Sequence, residues 1–195
     1  MKQAAVFLAD GFEEIEALSP VDYLRRANVE VFTVAVPSPT MNDPYIVTSS
    51  HKVPVIADLT LKEYLESCKD GLVDCVVCPG GSVGATNLSN CKDLIKHLED
   101  AWYNNKIVAA ICASPAVVLG KTRIPDGKKW TCYPGMESES NDSYVSNYVN
   151  EVVVTDGNLV TSRGPGASEQ FAMELVKILM GDETYNRIHA GSQQR

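Results

Sequence analysis

The stretch Ile107-Val-Ala-Ala-Ile-Cys112, followed by Ala113-Ser114-Pro115 and then Ala116-Val-Val-Leu119, decides the fold. An apolar run this short, ended by a turn of small residues, reads as a buried strand. The apolar segment behind it opens a helix packed back on that strand. Cys112 therefore stands at a strand-to-helix bend. A side chain there is lifted out of the sheet plane, and the free N–H groups and positive dipole end of the helix favour negative charge. Both effects predict a lowered thiol pKa and an accessible thiolate. Free cysteine is also among the most often buried residue types and commonly acts as a small hydrophobe, so the bend alone leaves both roles open.

Outward from this point, short apolar runs alternate with amphipathic segments. Strand patterns cover 4–9, 30–36, 74–78 and 107–112. Helical patterns cover 13–26, 61–65, 91–103 and 168–180, and a helix starts at 115–119. The runs 151–154 and 159–161 pair around the turn Asp156-Gly157. Strands interleaved with helices predict an α/β fold with a mainly parallel sheet covered on both faces. At 195 residues with 45% hydrophobic content, a single domain over 1–195 is expected. The polar stretch Glu137-Ser-Glu-Ser-Asn-Asp-Ser143 reads as a mobile loop, because too little chain follows it to fold alone.

The formal net charge of -8, with no basic cluster beyond Arg25-Arg26 and Lys128-Lys129, argues against nucleic acid or an anionic membrane surface as a partner. No apolar stretch approaches a membrane span, and Ala4-Ala-Val-Phe-Leu-Ala9 runs into Asp10 rather than a cleavage site, so a cytoplasmic protein is expected. With ample core residues the chain needs no disulfide staples, and its six cysteines are expected to be reduced. Cys75 and Cys78 form a C-x-x-C, but on a strand that spacing sends them to opposite faces. No second Cys/His pair follows, so no metal site is expected.

In parallel sheets ligands bind beyond the carboxyl ends of the strands. That rule brings Asp10-Gly-Phe-Glu-Glu-Ile-Glu16, Pro79-Gly-Gly-Ser82 and Cys112-Ala-Ser114 to one rim. Gly80-Gly81 leaves unobstructed N–H groups that can bind an oxyanion, or it is an ordinary tight turn. Pro79-Gly-Gly-Ser-Val-Gly84 has neither dinucleotide nor Walker spacing. Glu16 either complements the helix dipole or lies beside Cys112. In the second case two acids cannot both ionise cheaply, and a shared proton would make Glu16 a general acid or base. His97 shares a helix with the stripe Leu94, Leu98, Ala101 and Trp102 and is expected to face solvent. His189 is near the C-terminus, and only His51, in Thr48-Ser-Ser-His51, can approach the rim. No histidine flanks Cys112, so a Cys-His dyad finds no local support.

Five ordered segments, Ala9-Asp-Gly-Phe-Glu-Glu-Ile-Glu-Ala17, Pro20-Val-Asp-Tyr-Leu-Arg-Arg-Ala27, Val77-Cys-Pro-Gly-Gly-Ser-Val-Gly-Ala-Thr-Asn-Leu88, Val108-Ala-Ala-Ile-Cys-Ala-Ser-Pro115 and Leu159-Val-Thr-Ser-Arg-Gly-Pro-Gly166, carry a resemblance. Over essentially its full length the chain resembles the ThiJ/PfpI superfamily, in the branch of the Parkinsonism-associated deglycase and its short bacterial relatives. The resemblance implies a flavodoxin-like three-layer sandwich, a homodimer, no metal and no cofactor. It implies that Cys112 is a nucleophilic, oxidation-sensitive thiol and Glu16 its carboxyl partner. The N–H groups of Gly81 and Ala113, with Gly80 and Ser82 in the same turn, fall on the family's anion pocket. Ser162, Gly164 and Pro165 match the loop closing that pocket, and Arg26 matches a basic residue reaching the neighbouring subunit's site.

Three positions depart from the family pattern. Ala113 follows the cysteine where the protease branch has histidine, so peptidase activity is not expected. Tyr133, in Thr131-Cys-Tyr-Pro134, replaces a histidine of the animal deglycases, and His51 stands where many relatives have arginine. The function implied is a cofactor-independent glyoxalase or deglycase acting on a small aldehyde, which turns methylglyoxal and related 2-oxoaldehydes into 2-hydroxy acids. The alternative is a cysteine-based oxidative-stress sensor or redox-linked chaperone.

Overall fold

The computed structural model describes residues 1–194. In chain order the elements are β1 (Gln3–Leu8), α1 (Glu14–Arg26), β2 (Glu30–Ala35), β3 (Ile46–Thr48), β4 (Pro54–Ile56), β5 (Leu59–Thr60), α2 (Leu61–Ser67), β6 (Cys75–Cys78), α3 (Ser82–Asn90), α4 (Lys92–Tyr103), β7 (Ile107–Ile111), α5 (Ser114–Val117), α6 (Asp142–Val145), β8 (Val153–Asp156), β9 (Leu159–Ser162) and α7 (Ser168–Gly191). Seven strands form one sheet in the order β5-β2-β1-β6-β7-β9-β8. Every pairing in it is parallel except β8 with β9, which close the antiparallel hairpin around Asp156-Gly157.

The pleat divides the core in two. Ala4, Val6 and Leu8 of β1 turn to the face covered by α1 and α7, where Leu24, Phe171 and Val176 pack on them. Ala5 and Phe7 turn to the other face, against Tyr64 of α2, Leu88 of α3 and Leu94 and Leu98 of α4. Cys75 and Cys78 fall on opposite faces in the same way, both fully buried, and all six cysteines are free thiols. Helices on both faces of a mainly parallel sheet make the flavodoxin-like sandwich. Among the described residues no helix is long and apolar enough to cross a membrane.

Some details differ from the sequence pattern. The hairpin β3–β4 lies outside the main sheet and follows the β-branched runs flanking Ser49-Ser-His-Lys52. Helix α7 continues past Met180 to Gly191, with a kink at Gly181, whose φ of 82° is left-handed. The polar stretch expected to be a loop folds into a 3-10 turn, Glu137–Glu139, and α6. It is anchored by buried Tyr144, whose carbonyl accepts the Trp130 indole N–H at 2.8 Å and whose hydroxyl donates to the Thr122 carbonyl.

His97 does not face solvent: it is buried, with its ring 2.9 Å from the Tyr64 hydroxyl and edge-on to Phe7. Leu94, His97, Leu98 and Ala101 form one continuous stripe toward the sheet, and Tyr64 supplies the hydrogen bond that makes a buried imidazole tolerable. Burial lowers the His97 pKa to about 4, which keeps the ring neutral.

Candidate active site

Strand β7 ends at Ile111, and Cys112 turns the chain with a left-handed φ of 64°, a conformation that non-glycine residues seldom adopt. The turn is held on three sides. Cys112 donates its N–H to the Ser162 carbonyl at 2.9 Å and accepts the Tyr133 N–H at 2.8 Å, while the Ser114 hydroxyl donates to the Pro79 carbonyl at 2.6 Å. A strained residue held this firmly makes the turn a candidate functional elbow.

The Pro79-Gly80-Gly81 turn is packed against the elbow without room for side chains. A Cβ on Gly80 would fall 2.6 Å from both the Cys112 Cβ and Glu16 Oε2. A Cβ on Gly81, whose φ is 85°, would fall 2.2 Å from the Gly11 carbonyl oxygen. These approaches let the N–H groups of Gly81 and Ala113 point at the Cys112 thiol and favour its anion.

Glu16 enters from the first turns of α1 and is wholly buried. Its Oε2 accepts the Gly80 N–H at 2.8 Å, whereas Oε1 is buried with no hydrogen-bond partner. Burial raises the carboxyl to about 7, against the hydrogen bonds from Cys112 and Gly80 and with a further push from the Glu13 charge. The lowered thiol pKa that the bend alone predicts is overturned here. Burial first, then the Glu16 charge, pushes the Cys112 thiol up to about 12, over the opposing pull of the Gly81 and Ala113 N–H groups. The helix behind the bend is a single turn, so its dipole is small, and carboxyl and thiol compete for one negative charge. Above about pH 7 the pair holds one proton, which the carboxyl and the thiol share.

Around the pair lies a cleft of about 540 Å³ lined by Glu13, Glu16, Ser50, His51, Gly81, Ser82, Cys112, Ala113, Tyr133, Pro134, Gly135, Met136 and Pro165. Exposed His51 closes one rim: its Nδ1 lies 2.9 Å from Glu14 Oε2, and its N–H donates to Glu14 Oε1 at 3.1 Å. Glu13, Glu14 and His51 bring ligand atoms within 4.8 Å of one another. Glu14 is already satisfied there, since the Ser49 hydroxyl also donates to it at 2.6 Å, and the cluster reads as the latch of the β3–β4 hairpin.

Residues 2–178 match the sequence profile described as the DJ-1/PfpI family. The chain belongs to the DJ-1/PfpI family. Among its relatives, the Parkinson disease protein 7 homolog of Danio rerio is 37% identical over 191 residues, 97% of this chain and 95% of that one. A Schizosaccharomyces pombe protein named glutathione-independent glyoxalase DJ-1 is 28% identical over 193 residues, 97% of each chain. The chain is also 37% identical to protein DJ-1 homolog B of Arabidopsis thaliana but spans only 39% of that protein's length. Of solved structures, oxidized Toxoplasma gondii DJ-1 superposes with a TM-score of 0.88 at 32% identity, covering 99% of this chain and 98% of that one. A cysteine-to-alanine mutant of a DJ-1 superfamily protein from Salmonella typhimurium gives 0.89 at 32% identity and covers 100% of both chains.

Of the residues singled out in the sequence, Cys112, Glu16, Gly81, Ser82, Ala113, His51 and Pro165 line one cleft, and Gly80 backs the pair within it. Ser162 is buried behind the elbow, its carbonyl holding Cys112 and its hydroxyl donating to the Val152 carbonyl at 2.8 Å. Gly164 lines the adjoining chamber. Arg26 sits at the opposite end of α1 from Glu16, about 15 Å along the axis, and pairs with Asp22 at 2.8 Å. Within one chain it does not line the cleft. Pro134, Gly135 and Met136 line the cleft without a chemical signature in the sequence. Glu14 is legible only once the hairpin brings His51 to it.

Proposed function

We propose that the protein is a cofactor-independent glyoxalase that converts methylglyoxal and related 2-oxoaldehydes to 2-hydroxy acids. One observation carries this reading: a buried carboxyl raised to about 7, with one unpartnered oxygen, touches a strained and partly accessible thiol. Family membership and the glyoxalase-named relative point the same way.

The chemistry starts from the one-anion state of the pair. When Glu16 holds the proton, the charge that opposes the thiolate is gone, and Cys112 sulfur adds to the aldehyde carbon. A C–S bond forms, the C=O π bond breaks, and the new oxyanion takes a proton to give a hemithioacetal. The Gly81 and Ala113 N–H groups are aimed to stabilise negative charge beside the sulfur. Glu16, now a carboxylate, removes the C1 proton to leave an enediol and returns it to C2, while the hydroxyl proton on the C1 oxygen passes to the C2 oxygen. The C1=O double bond forms, and the product is the thioester of a 2-hydroxy acid. Water then breaks the C–S bond, releasing the acid and the thiol. The sum is aldehyde plus water to 2-hydroxy acid, and hydrolysis of early glycation adducts would use the same steps.

The test is conversion of methylglyoxal to lactate without glutathione by wild type, Cys112→Ser and Glu16→Gln at equal concentration. Turnover abolished by both substitutions is expected, and wild-type turnover no greater than that of the variants sinks the enzyme.

The same N–H groups favour a second reading, in which peroxide oxidises Cys112 to sulfinate held beside Glu16. Mass spectrometry after mild peroxide should then find the added oxygens on Cys112 before Cys68 or Cys91. A homodimer is part of our proposal. It would cover Ile15 and Leu18 of α1 and Ile56 of the hairpin, all exposed, and would bring Arg26 to the neighbouring cleft. Sedimentation of wild type and Leu18→Glu tests it.

A further inference from the structure

The thiol cleft does not end at Tyr133. A second chamber of about 580 Å³, lined by Tyr133, Pro134, Val152, Arg163, Gly164, Pro165, Gly166, Ala167 and Gln170, shares Tyr133, Pro134 and Pro165 with it. The sheet register explains why the two adjoin. Ile111 of β7 pairs with Ser162 of β9, so Cys112 and Arg163 each lie one residue beyond a paired position on neighbouring parallel strands. Strand spacing then puts their backbones about 5 Å apart.

The wall between the chambers is tied to the chemistry. Tyr133 donates its N–H to the Cys112 carbonyl, and its ring stands on Gly164, where any Cβ would meet the ring at 3.3 Å. The ring is half exposed, so a bound molecule can pass beside it.

Charge is distributed unevenly between the two ends. Glu13, Glu16 and His51 line the thiol end, with Glu14 behind His51. Within one chain and among the described residues, Arg163 is the only arginine or lysine lining either chamber, and it makes no salt bridge. In a chain of net charge -8, an unpaired guanidinium in the chamber that adjoins the thiol cleft is a local exception. A substrate with a carboxylate at its far end would be repelled from Glu13 and drawn toward Arg163, whose planar fork suits a carboxylate. The Gln170 amide lies in the same chamber and can add a donor.

We propose that the second chamber is a carboxylate subsite and that Arg163 is the specificity-determining residue that selects acidic 2-oxoaldehydes over neutral ones. This rests on the glyoxalase reading above, and it names the substrate class that reading leaves open. The aldehyde carbon meets Cys112 while the carboxylate, separated from the dicarbonyl by a short methylene chain, passes Tyr133 to reach Arg163.

The experiment compares kcat/KM for 4,5-dioxopentanoate, its methyl ester and methylglyoxal in wild type, Arg163→Gln and Arg163→Lys. Because the acid-to-ester ratio is taken within one protein, partial loss of folded enzyme cancels. Wild type should prefer the acid by about tenfold or more at low salt, with the preference shrinking as salt rises. Arg163→Gln should bring the ratio to about one, and Arg163→Lys should keep part of it. Turnover of all three aldehydes with no acid preference, or a preference that survives Arg163→Gln, overturns the subsite and leaves the glyoxalase reading standing. No Cys112-dependent turnover of any of them overturns both.

Discussion

Glu14 and Glu16 stand two residues apart on the same helix, about 200° apart around its axis, and their environments drive them in opposite directions. Burial on its own would raise Glu14, but hydrogen bonds from His51, Ser49 and backbone N–H groups bring it down to about 2. Glu16 points inward, wholly buried with one oxygen unpartnered, and is raised to about 7. One carboxylate is spent on holding a hairpin. The other keeps a proton and an empty acceptor site beside a thiol. Chemical role at this rim is set by solvation and by which hydrogen bonds are already made.

The comparison breaks most visibly in activity. Glu16→Gln keeps shape but removes proton transfer, so kcat should fall by roughly 10²–10⁴. Glu14→Gln should change kcat/KM by a small factor at most. Equal losses in steady-state assays of the two variants would mean that the difference in environment has no catalytic consequence.

Stability against pH sharpens the same contrast. The Glu16 pKa is raised from its ordinary 4.5 to about 7, so between those values the folded chain holds a proton that the unfolded chain has released. Stability contributed by this group is full below about pH 4.5 and is lost as pH rises through about 7, a decline of about 3 kcal/mol. Urea midpoints near pH 5 and pH 8 should therefore fall further for wild type than for Glu16→Gln, since other titrating groups are common to both. Parallel pH dependence in the two proteins would place Glu16 in water rather than in the core.

Gly80 is what keeps the inner site closed. Alanine there would put a methyl 2.6 Å from the Cys112 Cβ and Glu16 Oε2 and 3.0 Å from the Ile111 carbonyl. The elbow or the carboxyl must shift, at a cost of about 1–3 kcal/mol by denaturant unfolding. Catalysis should suffer more than stability, since misplacing reacting groups by about 1 Å can cost about 10² in rate. Wild-type kcat/KM in Gly80→Ala would show that the close approach is incidental.

Much of this rim is legible in the chain because strand order alone brings it together. The apolar run ending at Cys112, the glycines after Cys78 and the acidic start of α1 each come directly after a parallel strand, and a parallel sheet gathers the segments at its carboxyl edge. The illegible part depends on contacts between segments with no shared pattern. His97 carries the polarity of a surface residue but lies at a core position, and only the distant Tyr64 makes that tolerable. The bend predicts an acidic thiol, and it takes the buried Glu16, 96 positions earlier in the numbering, to reverse the shift. Arg163 looks like one more residue of a loop until the register sets it beside Cys112.

The smallest effect concerns the outer latch. His51 is fully exposed, and its hydrogen bond to Glu14, then the charges of Glu14 and Glu13, raise its pKa above the ordinary 6.5. For a histidine raised by a partner, the pairing is complete below the ordinary value and is lost as pH rises through the raised one, while Glu14 remains ionised down to about 2. Glu14→Gln removes the leading cause and should move the His51 NMR titration midpoint back down, with Glu13 at 3.8 Å retaining part of the shift. The hairpin also keeps hydrogen bonds that do not titrate, including the Ser50 N–H to the Phe12 carbonyl at 2.8 Å and the Gly11 N–H to the Thr48 carbonyl at 2.8 Å. Loss of the histidine charge should therefore loosen one corner of the cleft without opening it. The expected signature is a modest rise in KM above the His51 midpoint, absent in His51→Gln. A KM independent of pH in both proteins would mean that the latch has no hold on substrate.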